Sequence, residues 1–207
     1  MKFLTADWRD LVMLNWEADP AVLAPLVPRG TVLDTWNGGT YISIVAFRFL
    51  RTKVLGLPIP FHVNFEEVNL RFYVKRETEG EVRRGVVFVK ELVPRAMIAW
   101  TARALFNENY ESLPMSHLIV PREGGNEIEY SWTAAGKRNS VSCFAARPYF
   151  SAPEESLELY ITEHYWGYTG QRDGSTKEYS VIHPRWELCR AENVKFDCDV
   201  AAIYGKS

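Results

Sequence analysis

Apolar and polar residues alternate along parts of the chain, which is the pattern of strands with one buried face. The clearest run is NLRFYV at 69–74. Other runs are rich in β-branched and aromatic residues and are bounded by Gly, Pro and charged residues, as strands usually are. The predicted strands are 40–50, 68–74, 85–92, 127–134, 140–146 and 194–204.

Three segments carry helical signals instead. Asp19 followed by Pro20 is an N-cap with proline at the first helical position. Residues 94–107 place apolar side chains at helical spacing around Arg103, and 151–161 sets a capping serine and two acids ahead of an apolar stripe. Few helices among many strands predict an α+β fold, mainly antiparallel β, with peripheral helices.

Composition narrows the class of protein. The chain has 207 residues, 47% hydrophobic and 14% aromatic, which excludes a disordered chain. No segment of the sequence repeats at a fixed spacing, and no linker separates two parts of different composition. We therefore predict one domain over residues 1–207. Lys plus Arg number 24 against 26 Asp plus Glu, and a net charge of −2 gives no general attraction to nucleic acid.

Cysteine usage and the N-terminal residues indicate a compartment. Cys143, Cys189 and Cys198 are an odd number without a CxxC pair, which fits a reducing cytosol. The first residues lack an uninterrupted apolar stretch, and none of the chain reads as a membrane span. We therefore expect a cytoplasmic protein without a membrane partner; a homo-oligomer stays open.

Polar residues on one predicted strand face are the first candidates for chemistry. Glu67, Asn69 and Arg71 share a face of the strand in NFEEVNLR. They either line a pocket, with Glu67 as acid or base and Arg71 as anion clamp, or form an exposed polar face. The four histidines lack metal-ligand spacing, so we predict neither a metal site nor another cofactor.

Three further residues are candidates, and two of them have two interpretations each. Arg103 lies in the most hydrophobic helix, so it either faces inward towards a carboxylate or an anionic ligand, or reaches the surface. His117 is retained as a candidate acid–base group. Trp166 belongs to an aromatic cluster that either lines a cavity or fills a core.

Six stretches in order resemble a bacterial family. They lie between about residues 7 and 188 and cover nearly the whole chain. The family is the YqjF-like family, domain of unknown function 2071, to which this chain is similar. The stretches are LNWEADPAVLAPLVPRG, DTWNGGTYISIVAFRF, FEEVNLRFYV, WTARALFNENYESLPM, LYITEHYWGYT and VIHPRWEL.

That family is similar to acetoacetate decarboxylases, and the resemblance implies a closed, cone-like antiparallel β-barrel around a cavity. FEEV resembles the decarboxylase strand with a cavity glutamate, which is Glu67 here or, as the weaker match, Glu66. ARALFNENYE resembles the decarboxylase stretch in which Arg103 matches an arginine. Tyr110 and Glu111 then stand where the decarboxylases carry paired lysines.

This departure shapes the predicted function. Imine-forming decarboxylation needs a lysine amine, and a tyrosine cannot supply one. We predict a cavity protein that binds or transforms a small carbonyl or carboxylate metabolite without a Schiff base; a non-catalytic ligand-binding or interaction module is the alternative. The catalytic candidates are Glu67, Arg103 and Tyr110, with Arg103 facing inward to pair with Glu67, and the ligand-binding candidates are Arg71, Glu111, His117 and Trp166.

Overall fold

Strands make up most of the structure, a computed structural model that describes residues 3–205. Its helices are α1 (Pro20–Leu23), α2 (Ala96–Phe106), α3 (Leu157–Thr162) and α4 (Val200–Tyr204), with a 3₁₀ turn at Ala24–Leu26. Its strands in chain order are β1 (Leu4–Ala18), β2 (Val32–Leu33), β3 (Thr40–Val54), β4 (Leu57–Pro58), β5 (Phe65–Thr78), β6 (Glu81–Val93), β7 (Tyr110–Ser112), β8 (Met115–Arg122), β9 (Gly125–Ala134), β10 (Lys137–Ser151), β11 (Trp166–Gly170), β12 (Thr176–Ser180) and β13 (Glu187–Asp197).

These strands form two sheets in the described chain. The large sheet runs in the order β1-β3-β5-β6-β11-β12, with the short strands β2, β4 and β7 attached to β5, β3 and β6. The small sheet has the order β13-β10-β9-β8. Pairing is antiparallel except where β7 and β11 each run parallel to β6. The prediction of a mainly antiparallel β fold is therefore confirmed.

The expected closed barrel is wrong, because both sheets are open. Within residues 3–205, the end strands β1 and β12 of the large sheet do not pair with each other, nor do β13 and β8 of the small sheet. The apolar face of the large sheet is buried in another way. It packs against the small sheet, so the sheet need not close on itself to shield this face from water.

The two faces of the large sheet differ in chemistry. Cross-strand neighbours Ala46, Val68 and Leu92 point to one face, where they meet Tyr130 and Trp132 of the small sheet in an apolar core. Because successive residues of a strand point to opposite sides, the residues between them form the other face. That second face carries the polar side chains described below.

The predicted helices are found with one shift. The Asp19 carboxylate accepts a hydrogen bond from the amide of Ala21 (2.8 Å) and caps α1, as predicted. The expected start of the third helix at Ser151 is wrong: β10 continues to that residue, and Ser156 caps α3. Among the described residues, no helix combines the length and the apolar character that crossing a bilayer requires.

The predicted strand at 194–204 is also only partly right. Strand β13 ends at Asp197, and the Asp199 carboxylate accepts from the amide of Ala202 (3.1 Å) to cap helix α4. The apolar residues that follow this cap read equally well as a strand or a helix, and the cap decides for the helix.

A substitution at Gly85 tests how closely β6 and β11 pack against each other. A Cβ at this position would lie 2.6 Å from the carbonyl oxygen of Trp166 and 2.6 Å from the ring of Tyr168. We expect Gly85→Ala to lower the free energy of unfolding by about 1–3 kcal/mol, the usual cost of overpacking. Gly170→Ala on β11 is the matched control, since no atom lies within 4 Å of its added Cβ. Denaturant unfolding of both variants checks this, and equal stabilities would contradict it.

Candidate functional site

A row of residues crosses the second face of the large sheet. Asn69 on β5 is in register with Val45 on β3 and with Glu91 on β6, and Glu91 is in register with Tyr110 on β7. Glu67 lies two residues before Asn69 on the same face. The strand register therefore brings two carboxyl groups, one amide and one phenol together, although β5, β6 and β7 are separate in sequence.

The phenol of Tyr110 lies between the two carboxyl groups. Its hydroxyl donates to Glu67 Oε2 (3.3 Å), and it also interacts electrostatically with Glu91. The amide of Asn69 donates to Glu67 Oε1 (2.9 Å). Glu67 and Glu91 are each only 3% exposed. Two acids held out of water on either side of one phenol are the centre of the site.

A third buried acid joins them from the end of α2. Asn107 takes a left-handed conformation (φ 56°), which asparagine tolerates well, and this ends the helix. The next residue, Glu108, is thereby turned inwards and is 7% exposed. Thr169 on β11 donates to its Oε1, and Tyr179 on β12 interacts with the same carboxyl group. We call Glu67, Glu91, Glu108, Tyr110 and Tyr179 the acid cluster.

Burial sets the protonation of this cluster. Loss of water raises the pKa of Glu67 to about 7, and the nearby Glu108 adds to the rise, although hydrogen bonds from Asn69 and Tyr110 oppose it. Burial, followed by repulsion from Glu67 and Glu108, raises the pKa of Glu91 well above its usual range. Burial also raises the pKa of Glu108. Neutral carboxylic acids in this setting can donate hydrogen bonds as well as accept them.

Several polar atoms beside the cluster are buried without a partner among the described residues. They are Asn69 Oδ1, Glu91 Oε2 and Arg71 Nε. Arg71 is 7% exposed, and its Nη2 donates only a long hydrogen bond to the carbonyl of Ile161 (3.4 Å). Buried polar groups in proteins are nearly always hydrogen-bonded. This face therefore offers a cationic donor, an amide acceptor and a carboxyl oxygen to a polar molecule.

A cleft of about 190 Å³ opens at the sheet edge and has Glu108 of the acid cluster in its wall. On the outer side of β6, β11 pairs only with Gly85 and Val86, and β7 starts only at Glu91. The cleft lies in this interval, and we call it the edge cleft. Its lining residues include Val87, Phe88, Val89, Asn107, Glu108, Asn109 and Thr169.

The edge cleft connects to the polar face in two ways. Glu108 belongs to both the cleft wall and the acid cluster. Phe88, another wall residue, is the cross-strand neighbour of Arg71. Asn109 and Val89, which both line the cleft, are joined by a hydrogen bond from the Asn109 side-chain amide to the Val89 carbonyl (2.7 Å). Of the acid cluster, Glu108 is therefore the residue that a small molecule in the cleft would contact.

The predicted pairing of Arg103 with Glu67 is wrong. Arg103 is exposed in the last turn of α2, where a cation is favoured by the helix dipole, and it lines a surface depression with Arg172 and Lys177. Its apolar neighbours were misleading, because Met97 and Trp100 are themselves 61% and 66% exposed. Glu67 is satisfied by Asn69 and Tyr110 instead.

Three other candidates lie away from the cluster. Glu111 pairs with Lys90 (3.1 Å) and is half-exposed. His117 is bonded to Glu66 (2.6 Å) and faces the surface, and the ring of Trp166 lies under the guanidinium of Arg83 (4.5 Å). The structure thus gathers Glu67, Arg71 and Tyr110 of the seven predicted site residues.

Sequence reasoning missed Glu91, Glu108 and Tyr179. Glu91 carried a signal, since it interrupts the apolar alternation between Val89 and Val93 on one strand face. Glu108 carried none, because it is one of several polar residues in NENYE and only the turn at Asn107 directs it inwards. Among residues 3–205, no group of three His, Cys, Asp or Glu side chains is arranged to hold a metal ion.

The pH dependence of stability tests the burial of Glu67. Between pH 4.5, the ordinary pKa, and about 7, the folded state keeps this proton while the unfolded state loses it. The free energy of unfolding should therefore fall as pH rises through this window. Glu67→Gln cannot ionise, so it should reduce the fall by up to about 3 kcal/mol.

Glu66→Gln is the matched control for this experiment. Glu66 is the preceding residue on β5, but it points to the opposite face and binds His117. Urea unfolding at a series of pH values compares the two variants with the wild type. An unchanged slope in Glu67→Gln, or an equal change in Glu66→Gln, would contradict a buried, protonated Glu67.

Solved structures with a similar fold are decarboxylase-like enzymes. The enduracididine biosynthesis enzyme MppR complexed with pyruvate matches with a TM-score of 0.54 and 15% identity over 85% of this chain and 63% of its own. Acetoacetate decarboxylase from Legionella pneumophila matches with a TM-score of 0.52 and 10% identity over 86% of this chain and 66% of its own. The chain thus spans slightly less than two thirds of these structures, which show a shared fold.

Sequence comparison identifies the family. The uncharacterized protein YqjF of Bacillus subtilis is 30% identical over 189 residues, 89% of this chain and 74% of that protein. The model of the DUF2071 family of uncharacterized conserved proteins matches residues 5–206. The chain therefore belongs to the DUF2071 family, and its fold is related to that of the acetoacetate decarboxylase-like enzymes.

Proposed function

We propose that this protein binds a small carbonyl-containing carboxylic acid on the polar face of its large sheet and moves a proton on it without forming an imine. The observation that carries the proposal is the acid cluster beside the buried guanidinium of Arg71, whose Nη2 makes only a long hydrogen bond to a carbonyl. A guanidinium out of water needs an anion, and a ligand carboxylate supplies one.

The size of the edge cleft supports a small ligand. A volume of about 190 Å³ corresponds to on the order of six water molecules at about 30 Å³ each. A ligand with about six non-hydrogen atoms, such as a short 2-oxo or 3-oxo acid, occupies that space. The related fold of an enzyme complexed with pyruvate supports the same class of ligand.

The acids of the cluster suit proton transfer at a carbon next to a carbonyl. A general base works best when its pKa lies near the operating pH, and the pKa of Glu67 is about 7. Glu91 and Glu108, with raised pKa values, are neutral donors for the carbonyl oxygen. In the proposed step Glu67 takes the proton from the carbon. The electron pair of the broken C–H bond then forms the C=C bond of an enolate, and these donors stabilise the enolate oxygen.

The alternative is a ligand-binding module without catalysis. The chain retains the buried acids but has Tyr110 and Glu111 where the resemblance to decarboxylases places lysines, and Lys90 pairs with Glu111. A binder of this kind needs Arg71 and the donors but not the poised base. Binding and proton exchange therefore have to be measured separately.

Calorimetric titration with pyruvate tests the binding step. We expect Arg71→Met to weaken binding by at least about tenfold, because the carboxylate loses its cation. Arg122→Met is the matched control, since Arg122 is exposed on β8 and pairs with Glu127 (2.9 Å). If neither pyruvate nor acetoacetate bound to the wild type, that result would contradict the proposal.

Hydrogen–deuterium exchange of the methyl protons of pyruvate, followed by NMR, tests the chemical step. Wild-type protein should accelerate exchange, and Glu67→Gln should lower this acceleration by about 100-fold or more while binding is kept. Glu66→Gln should retain it. Binding without any acceleration would favour the non-catalytic module, and lysine adducts after borohydride treatment with acetoacetate would contradict the absence of an imine.

A further inference from the structure

A buried histidine lies at the other end of the polar face from the acid cluster. The side chain of His164 is 1% exposed, and its Nε2 is 3.2 Å from Asp34 Oδ2. Arg84 donates to the same Asp34 oxygen (2.7 Å). The imidazole is packed against the rings of Tyr73 (4.6 Å) and Tyr160 (5.2 Å). This packing holds the ring in one orientation.

The partners of His164 determine its tautomer. Burial raises the pKa of Asp34, but the hydrogen bonds from His164 and Arg84 outweigh it, so the pKa lies below the usual value and the group is ionised. Burial lowers the pKa of His164 to about 4, with Arg84 and Arg71 contributing, so the ring is neutral. An ionised carboxylate accepts from Nε2–H, and Nδ1 therefore keeps its lone pair.

The lone pair of Nδ1 is buried and has no partner among the described residues. The same holds for the N–H at Arg71 Nε. Both side chains pack against Tyr73, with the guanidinium carbon 5.5 Å and the imidazole centre 4.6 Å from its ring centre. One unpartnered acceptor and one unpartnered donor thus flank the same tyrosine.

We infer that Arg71 Nε and His164 Nδ1 form a subsite for a hydroxyl group, so that the ligand class is a small carboxylic acid that carries a hydroxyl group. A hydroxyl oxygen accepts from Nε–H while its hydrogen is donated to Nδ1, which satisfies both atoms at once. A ketone oxygen cannot donate to Nδ1, and a methylene group satisfies neither atom. The inference rests on the proposed binding of a carboxylic acid on this face.

Paired ligands test the subsite in the wild-type protein. Lactate carries a hydroxyl group that propionate lacks, and both keep the carboxylate. We expect lactate to bind at least about tenfold more tightly, because propionate leaves two buried polar atoms unpaired. Equal affinities would overturn the subsite but leave the proposed function standing. If lactate, propionate, pyruvate and acetoacetate all fail to bind, the proposed function and this inference both fall.

Nitrogen-15 NMR of the histidine rings gives a readout that needs no variant. Lactate should shift the Nδ1 resonance of His164 towards its hydrogen-bonded value, whereas propionate should leave it unchanged. A resonance unmoved by bound lactate would overturn the inference. His164→Phe should abolish the preference for lactate over propionate, and His117→Phe, on the opposite side of the sheet, should keep it. A preference retained in folded His164→Phe would also overturn it.

Discussion

The burial of carboxyl groups on one face of the large sheet is the constraint on which the rest of the site depends. Removing an ionised carboxylate from water costs several kcal/mol, so the acids either hold their protons or require cations close by. At the acid cluster the first solution dominates. Burial raises the pKa of Glu67 by more than Arg71 and the hydrogen bonds from Asn69 and Tyr110 lower it.

The sheet topology explains why this face is both buried and reachable. The small sheet covers the opposite, apolar face, so α2 and α3 pack against the polar face. Because β7 and β11 pair with different parts of β6, an interval of β6 remains between them, and the edge cleft lies there. Glu108 binds Thr169 across this interval. The same residue thus joins the two flanks and contributes an acid to the site.

Local sequence patterns predicted the strands and most helices because alternation and caps depend on neighbouring residues. The alternation in NFEEVNLR placed Glu67 and Arg71 on one face, and the structure buries both. Such local patterns do not determine whether a sheet closes into a barrel, because closure depends on which distant strands pair. The orientation of Arg103 failed for a related reason: its apolar neighbours Met97 and Trp100 face solvent, so apolar composition did not mark a buried face.

Infrared spectroscopy in the carbonyl-stretch region tests most directly whether the buried carboxyl groups of the acid cluster hold their protons. At about pH 6 ordinary exposed carboxyl groups are ionised, so a band of protonated carboxylic acid reports groups with raised pKa values. We expect such a band in the wild-type protein, weakened in Glu67→Gln and in Glu91→Gln and retained in Glu66→Gln. The absence of this band at about pH 6, or its persistence at full strength in both cluster variants, would contradict this expectation.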